Sequence, residues 1–384
     1  MTLLPFASQL GVAIDRGINF AILRSHLQEG VGRLLAHPRY RKDAHIWMTG
    51  SGDSLFAAQS TIPGLRRWAG VKTTPISSIE FARYQVPLLG PGDAAWGISN
   101  SGSAARTREA VTLARAKGSL TVGITGSQTG PLATLADTYV HRPVGELLEI
   151  DVSSRGIFLN MVEYLATLYA LYFIGLHIGI ANGVIEDAQA KEILSECEAA
   201  ILSIGDLAAE CEPIAAEIAI PLKELDTIWI IGAGPSQGTA RYCAAKFHEQ
   251  LPWNGISEDL EEWAHLQYFL TLSWEQRSVV FVLAPPGNSL ERAEELVEGI
   301  VGAGGRAIVV AHPEYGRFPE AWKSFTIPGS TSEYLSPITY HLPAQLLVLH
   351  IARQLGREPF ALRRKDNYKL IRQGVVLSDP RSLS

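Results

Sequence analysis

The chain has 384 residues, of which 47% are hydrophobic and 19% are charged, and its formal net charge is −6. This length accommodates one large domain or two ordinary ones, and the composition excludes a disordered or fibrous protein. The negative charge argues against broad nucleic-acid binding, which needs a basic surface. The three cysteines follow neither a metal-binding nor a disulfide spacing, and the first residues lack the pattern of a secretion signal. A cytoplasmic location is therefore expected.

The N-terminal half alternates between predicted helices and strands. Residues 1–43 carry apolar side chains at helical spacing and predict a helical segment. A first domain is predicted over residues 44–185, with the order strand 44–48, glycine turn and helix, then strand 93–98, serine-rich turn, helix 104–117 and strand 120–124.

The run 157–181 is apolar over a length that could cross a bilayer. Asn160, Glu163 and His177 interrupt it, and no second run of this kind occurs in the sequence. A buried helix of a packed core or a subunit interface is therefore the favoured interpretation, and no contact with a membrane is expected.

The C-terminal half repeats the order of the first. After an acidic helical connector, 186–220, a second domain is predicted over residues 221–355, with strands 228–231, 278–283 and 307–310, helices 239–250 and 290–303, and an amphipathic helix 342–355. Gly232 follows Gly50 by 182 residues, and Gly305 follows Gly118 by 187. Two βαβ halves at a nearly constant offset predict a duplicated α/β domain with mainly parallel sheets.

Residues 226–265 contain the main catalytic candidates. Strand 228–231 leads into a turn of small residues and a helix, and the free N–H groups at such a helix start bind anions. Lys246 and Glu249 share one face of this helix, and His265 follows Glu249 by sixteen residues. A cation, a carboxylate and an imidazole around an anion site suit proton transfer on a sugar phosphate.

The turn after strand 228–231 does not have the glycine spacing of a nucleotide-binding site. Its glycines, spaced G-x-G-x-x-x-G, are one residue too far apart for the dinucleotide fingerprint, so no nucleotide cofactor is expected. The histidines are not spaced as a metal set. In the first half, serine clusters at 51–54 and 99–103 could simply cap helices, but two clusters together favour a bound anion.

The chain resembles the double SIS (sugar isomerase) family over roughly residues 44–360. The resemblance rests on TGSGDS, on GISNSG before a helix and TVGIT, on GELLEIDVSS before the long apolar run, and on YHLPAQLLVLHIA. It implies two tandem SIS domains, each a mainly parallel, flavodoxin-like five-stranded sheet flanked by helices and free of nucleotide.

The resemblance also implies roles for individual residues. The enolising base lies in a K-x-x-E pattern, here Lys246 and Glu249, and a histidine from the neighbouring subunit, here His265, opens the sugar ring. The residues implied or proposed to hold the substrate are Gly50, Ser51, Gly52, Ser54, Ser99, Asn100, Ser101, Ser103, Arg106, Ser154, Gly234, Ser236, Glu262, Arg363 and Lys369.

The sequence departs from the family pattern in two places. Ala104 stands where the phosphate loop usually has a threonine, so Arg106 is a candidate replacement cation, and a phosphate, sulfonate or carboxylate all fit. The basic tail, 356–384, does not align cleanly. It is either a solvated surface tail or a segment that closes over the site and supplies a cation, with Arg363 and Lys369 among the candidates.

The sequence therefore predicts a SIS-family isomerase of a phosphorylated or otherwise anionic sugar, or a ketosamine-phosphate deglycase or deaminase. It is expected to act as a homodimer or higher homo-oligomer, without a cofactor or metal. Burial of Glu249 is expected to raise the pKa of its carboxyl group. No N-terminal cysteine glutaminase domain is seen, so a glutamine-dependent synthase is not expected. The alternative is a non-catalytic sugar-phosphate sensor or regulatory protein.

Overall fold

The computed structural model describes residues 5–147, 152–251, 253–329 and 332–358. The described chain divides into two compact units. The first unit contains Gly17–Glu146 and Met161–Ser195, and the second contains residues 5–16 and 152–160 together with the described residues from Glu196 onward.

Helices and parallel strands alternate along the chain. The strands are β1 (His45–Gly50), β2 (Lys72–Ser77), β3 (Asp93–Ile98), β4 (Leu120–Thr125), β5 (Thr138–His141), β6 (Thr227–Ile231), β7 (Asn254–Glu258), β8 (Val279–Ala284), β9 (Arg306–Ala311) and β10 (Lys323–Thr326). The helices are α1 (Phe6–Gly17), α2 (Phe20–Leu35), α3 (Asp53–Ala69), α4 (Ser78–Glu80), α5 (Ala105–Ala116), α6 (Pro131–Leu135), α7 (Val152–Asn182), α8 (Asp187–Leu202), α9 (Ile204–Leu222), α10 (Pro235–Gln250), α11 (Leu260–Glu262), α12 (Tyr268–Trp274), α13 (Leu290–Gly302) and α14 (Leu342–Gln354). Short π- and 3-10-helical turns continue α4 to Leu88 and join α11 to α12.

Each unit contains one parallel five-stranded sheet. The strand order is β2-β1-β3-β4-β5 in the first unit and β7-β6-β8-β9-β10 in the second, which is the same order relative to the chain. This is the flavodoxin-like order, in which ligands bind beyond the carboxyl ends of the strands where the order reverses. The reversal lies between β1 and β3 in the first unit and between β6 and β8 in the second. The predicted duplication and fold class are thus confirmed.

The central strands are apolar throughout because both of their faces are covered. All six residues of β8, VVFVLA, are buried, as are those of β4. A parallel sheet with helices on both faces requires such continuous apolar runs.

The long apolar run is a helix of the protein core. Among the described residues, one helical stretch, Gly156–Asn182, is long and apolar enough to cross a membrane, and 83% of its most apolar window is buried within the fold. Glycines on α7 let its backbone approach α3: a Cβ at Gly179 would lie 2.1 Å from the carbonyl oxygen of Trp68. The interpretation as a buried core helix agrees with this packing.

The structure corrects two element predictions. Helix α14 is not amphipathic, because every residue from Leu342 to Ala352 is buried. Helix α10 begins at Pro235, four residues before the predicted start, because proline fits the first turn of a helix, where its missing N–H is not needed.

Candidate active site

The first predicted anion loop, residues 50–54, follows β1. Gly50 is buried, and a Cβ there would lie 3.0 Å from the Cβ of Ser54 and 3.2 Å from the carbonyl oxygen of Ile98. Ser51 and Gly52 are exposed, and Gly52 has a φ of 58°, in the left-handed region that favours glycine. The turn therefore presents its backbone and the start of α3 at the carboxyl end of the strand.

The second predicted anion loop is the serine-rich loop of residues 99–103, which follows β3. Ser99 is buried and its N–H donates to the carbonyl of Ile124, whereas Ser101 and Ser103 are exposed with their Oγ atoms 2.7 Å apart. Gly102 turns the chain with a φ of 67°. Ala104 precedes α5 without a side-chain cap, so the first N–H groups of that helix have no capping hydroxyl. Serine hydroxyls and uncapped helix N–H groups are donors of the kind that bind anions, which is consistent with the predicted role of this turn.

A buried chain of hydroxyl groups holds the two loops in place. Thr49 Oγ1 lies 3.3 Å from Ser78 Oγ, which lies 3.0 Å from Thr107 Oγ1. Thr49 precedes the first loop, and Thr107 lies in the first turn of α5. These hydrogen bonds between hydroxyl groups therefore fix the end of β1 relative to the start of α5.

Asn100 points its side chain into the unit. Its Oδ1 accepts from Arg142 Nη2 at 2.7 Å, and its amide hydrogen bonds with Glu163. Burial lowers the pKa of Arg142 to about 10, and burial raises the pKa of Glu163 although Arg142 and Asn100 act in the opposite direction. Sequence reasoning missed this role for Arg142 and Glu163; the only signals were a charge inside an apolar helix and an arginine directly after a strand.

Arg106, the candidate replacement cation, lies in the first turn of α5. Its Nη1 binds the Oε2 atom of Glu109, whose other oxygen accepts from Arg83 Nε at 2.9 Å. Glu109 is fully buried, so one carboxylate is shared by two guanidinium groups. One buried carboxylate therefore links Arg106, beside the second anion loop, to Arg83.

In the second unit, a similar turn joins β6 to α10. Gly234 has a φ of 57° and is exposed just before Pro235. Ser236 is fully buried, and a Cβ at Gly232 would lie 2.7 Å from its Cβ. Its hydroxyl has no hydrogen-bond partner among the residues that the structure describes.

The K-x-x-E pair is formed on α10. Lys246 Nζ donates to Glu249 Oε2 at 2.8 Å and lies 4.5 Å from the centre of the Tyr242 ring. The side chain of Lys246 is 2% exposed, whereas that of Glu249 is 35% exposed. The expectation of a buried Glu249 is therefore wrong: the lysine is buried, and the carboxylate reaches the surface of the unit.

A buried polar cluster surrounds Lys246. Tyr242 Oη donates to Gln345 Oε1 at 3.4 Å, and its ring packs edge-on against His341 at 5.3 Å between centroids. Burial, with a smaller effect from the Lys246 charge, lowers the pKa of His341 to about 3. His341 and Gln345 were not predicted as site residues, although both fall within the YHLPAQ motif.

His265 is exposed in its own chain. It lies in the π-helical turn Trp263–Gln267, its side chain is 67% exposed, and its Nδ1 lies 4.0 Å from Glu261 Oε1. Glu262 is also exposed, and its N–H donates to the N-capping carboxylate of Asp259. Trp253 and Trp263, in the same region of the sequence, are both buried.

The second unit has no open counterpart of the serine-rich loop in its described residues. After β8, Asn288 donates its backbone N–H and its Nδ2 to the carboxylate of Glu333, at 3.1 and 2.8 Å. A Cβ at Gly287 would lie 2.0 Å from Glu333 Oε2. A carboxylate of the same chain thus occupies this turn.

Some predicted site residues are outside the described part. The side chain of Ser154 is not described, and Arg363 and Lys369 fall beyond residue 358. Among the described residues no group of three or more histidine, cysteine or acidic side chains could hold a metal ion.

Comparison with known proteins agrees with the predicted resemblance. Residues 39–173 match the SIS domain. The chain is 26% identical over 314 residues to the glutamine–fructose-6-phosphate aminotransferase (isomerizing) of Zymomonas mobilis, covering 80% of this chain and 49% of that protein. The chain therefore spans about half the length of this curated relative.

Solved structures share the fold. Tagatose-6-phosphate ketose/aldose isomerase from Escherichia coli is similar with a TM-score of 0.66 and 16% identity, covering 96% of this chain and 94% of its own. Glucosamine-6-phosphate deaminase from Thermotoga maritima is similar with a TM-score of 0.63 and 18% identity, covering 92% and 96%. The first half of the chain thus matches the SIS domain, and the chain as a whole shares the fold of these two solved structures.

Proposed function

We propose that this protein is an aldose–ketose isomerase of an anionic sugar. The observation that carries the proposal is the Lys246–Glu249 pair on α10, with a buried ammonium 2.8 Å from a carboxylate that reaches the surface. A carboxylate held in this way can remove and return a proton, and the ammonium can stabilise the negative oxygen that forms.

The proposed reaction assigns one task to each part of the chain. The serine-rich loop of the first unit holds the anion of the sugar, so that binding energy far from the reacting carbons orients them. Glu249 moves a proton between C1 and C2 through an enediol, and Lys246 stabilises its oxygen. His265, supplied by the neighbouring subunit of a homodimer, opens the sugar ring.

A nitrogen-bearing substrate would use the same first step. If the sugar carries an amine, removal of a proton by Glu249 gives an enolamine, and return of the proton to the neighbouring carbon gives an imine. Water then hydrolyses the imine to a carbonyl compound and the free amine. The names of the similar proteins cover both outcomes, because they include a ketose/aldose isomerase and a deaminase. We place isomerisation first because the Lys246–Glu249 pair provides for proton transfer, and no contact described in the structure provides for release of nitrogen.

The test is hydrogen exchange on candidate substrates. Sugar phosphates, sugar sulfonates and ketosamine phosphates are incubated with the protein in D₂O and followed by NMR. We expect deuterium at C1 or C2 of one class, with a loss of at least about a hundredfold in Glu249→Gln, because general-base catalysis contributes a factor of this order.

A matched control exists in the same unit. Glu295 also accepts from a basic residue three positions earlier, with Arg292 Nη1 at 2.8 Å. Glu295→Gln should keep full exchange activity. Release of free amine would make the protein a deglycase or deaminase. Binding without exchange of any class would instead support the sensor alternative and contradict the proposed role of Glu249.

A further inference from the structure

Arg142 is a buried cation behind the second anion loop. It directly follows β5, its backbone N–H donates to Thr125 at 2.9 Å, and its side chain is almost completely buried. Nη2 donates to Asn100 Oδ1 at 2.7 Å, while Nε and Nη1 have no hydrogen-bond partner among the described residues. A guanidinium is costly to bury unless its N–H groups are paired, and among the described residues two of its three nitrogen atoms have no partner, so its position behind the loop requires an explanation.

Asn100 connects this cation to the loop itself. The backbone carbonyl of Asn100 accepts from the N–H of Gly126 at 2.9 Å and from Thr125 Oγ1 at 3.1 Å. A Cβ at Gly126 would lie 2.6 Å from Asn100 Oδ1, so the segment after β4 packs directly against this side chain. Both the orientation and the position of Asn100 are fixed, and with them the backbone that leads to Ser101.

Two carboxylates act against anion binding in the same unit. Glu163 hydrogen bonds with Asn100 and interacts electrostatically with Asp53, the first residue of α3 after the first loop. An incoming phosphate would meet these negative charges behind the two loops. Arg142 is the positive charge that opposes them at Asn100.

We propose that Arg142 is a positioning residue that lets the serine-rich loop hold a doubly charged anion. This inference rests on the proposed function, since it concerns the loop that holds the anion of the same substrate. Arg142 acts through Asn100, which it orients, and through its charge, which offsets Glu163 and Asp53.

The experiment compares two small anions of similar shape. Binding of methyl phosphate, a dianion at pH 8, and methanesulfonate, a monoanion, is measured by calorimetry on the full chain. Removing one positive charge near a partly buried anion site is expected to lower the affinity for a dianion by about tenfold. We expect Arg142→Met to lose about that factor for methyl phosphate and much less for methanesulfonate, whereas Arg142→Lys keeps the preference for the dianion.

The opposite change at Glu163 distinguishes an electrostatic role from a structural one. Glu163→Gln keeps the shape and removes the negative charge, so it should bind methyl phosphate more tightly than the wild type. If Arg142 only supported the fold, both variants would weaken binding or leave it unchanged. Ser101→Ala should weaken both anions alike, because it removes a neutral contact.

Arg306 provides the control for a partly buried arginine. It lies in the second unit over the Trp322 ring, with the guanidinium carbon 4.7 Å from its centre, and its Nε also lacks a partner among the described residues. Arg306→Met should leave both affinities unchanged. Equal methyl phosphate binding by wild type and Arg142→Met, or no preference of the wild type for the dianion, would overturn the inference. Deuterium exchange on sugars tests the isomerase proposal independently of these anion-binding measurements.

Discussion

The residues around Lys246 combine a buried charge with a buried neutral imidazole. Lys246 is paired with Glu249, whereas the pKa of His341 is lowered to about 3 by burial and by the nearby ammonium. A neutral His341 leaves Glu249 as the carboxylate partner of Lys246 and adds no second positive charge. The polar cluster therefore directs the lysine toward the carboxylate.

A pH dependence of stability follows from His341. In the unfolded chain the imidazole takes up a proton near its ordinary pKa of 6.5, but in the folded chain it does so only near 3. The unfolded state therefore binds more protons below pH 6.5, and His341 lowers the free energy of unfolding as the pH falls through this window. The expected contribution is up to about 1.4 kcal/mol per pH unit.

Urea unfolding of the wild type and His341→Gln between pH 7.5 and 4.5 measures this contribution. The variant should show a shallower loss of stability with falling pH, even if it is less stable at pH 7.5. His265→Gln, which changes an exposed histidine, should keep the wild-type slope. Identical slopes for the wild type and His341→Gln would contradict a buried neutral His341.

Some of these residues could be predicted from the sequence and others could not, for a physical reason. Lys246 and Glu249 could be recognised because a helix brings residues three apart onto one face. Arg142 and Glu163 could not, because their partnership through Asn100 joins three separate elements and depends on tertiary packing. Nor could the exposure of Glu249 be predicted, since an alanine-rich helix sequence does not show which turn lies at the surface.

At the scale of elements, the positions of the inner strands were predicted most accurately, whereas the four edge strands β2, β5, β7 and β10 were not predicted individually. β3 has the predicted bounds, and β4 and β8 differ by a single residue at their ends, because continuous apolar runs between polar turns mark buried parallel strands. α14 was misjudged because two of its polar residues, Gln345 and His350, suggested an exposed face. In the fold both side chains are buried and hydrogen bonded.

Glu212, the partner of His350, also holds helix α1 in place within the second unit. The carboxylate of Glu212 on α9 accepts from the backbone N–H groups of Phe6 and Ala7 at 2.9 Å each, and from His350 Nε2 at 3.1 Å. A carboxylate at a helix start satisfies free N–H groups and interacts favourably with the helix dipole. Glu212 thus caps α1 from another helix.

Loss of this cap should loosen α1 specifically. We expect Glu212→Ala to lower the free energy of unfolding by about 2 kcal/mol, because it leaves partly buried donors without an acceptor. Amide hydrogen exchange of α1 should accelerate more than that of β8. Glu210→Ala, at an exposed position two residues earlier, is the control. Unchanged exchange in α1 would show that its packing, rather than the cap, holds it in place.

At the scale of the whole molecule, the two halves share one topology but differ in their loops. The duplication was predictable from the nearly constant offset between matching turns. The difference was not, because Glu333 lies far along the chain from the Asn288 turn that it fills. In the described residues the open serine-rich loop belongs to the first unit and the Lys246–Glu249 pair to the second, so we propose that each half has kept a different task.

An exposed apolar stretch accompanies His265. Between residues 263 and 274 the partly or largely exposed apolar side chains are Leu266, Phe269, Leu270, Leu272 and Trp274. Apolar side chains concentrated in this way on a surface indicate an interface. We propose that a second copy of the chain covers this stretch, which would bring His265 to the neighbouring subunit.

Mixing two inactive variants tests this arrangement. Glu249→Gln and His265→Gln should each exchange hydrogen poorly alone, since each homodimer lacks one essential group at both sites. After unfolding and refolding as an equimolar mixture, half of the dimers are mixed, and one site in each has both groups, so about a quarter of the wild-type activity should return. The double variant mixed with wild type supplies the control for dilution, because none of its own sites can be repaired. If the two single variants recover nothing while size-exclusion chromatography shows dimers, His265 acts within its own chain or not at all.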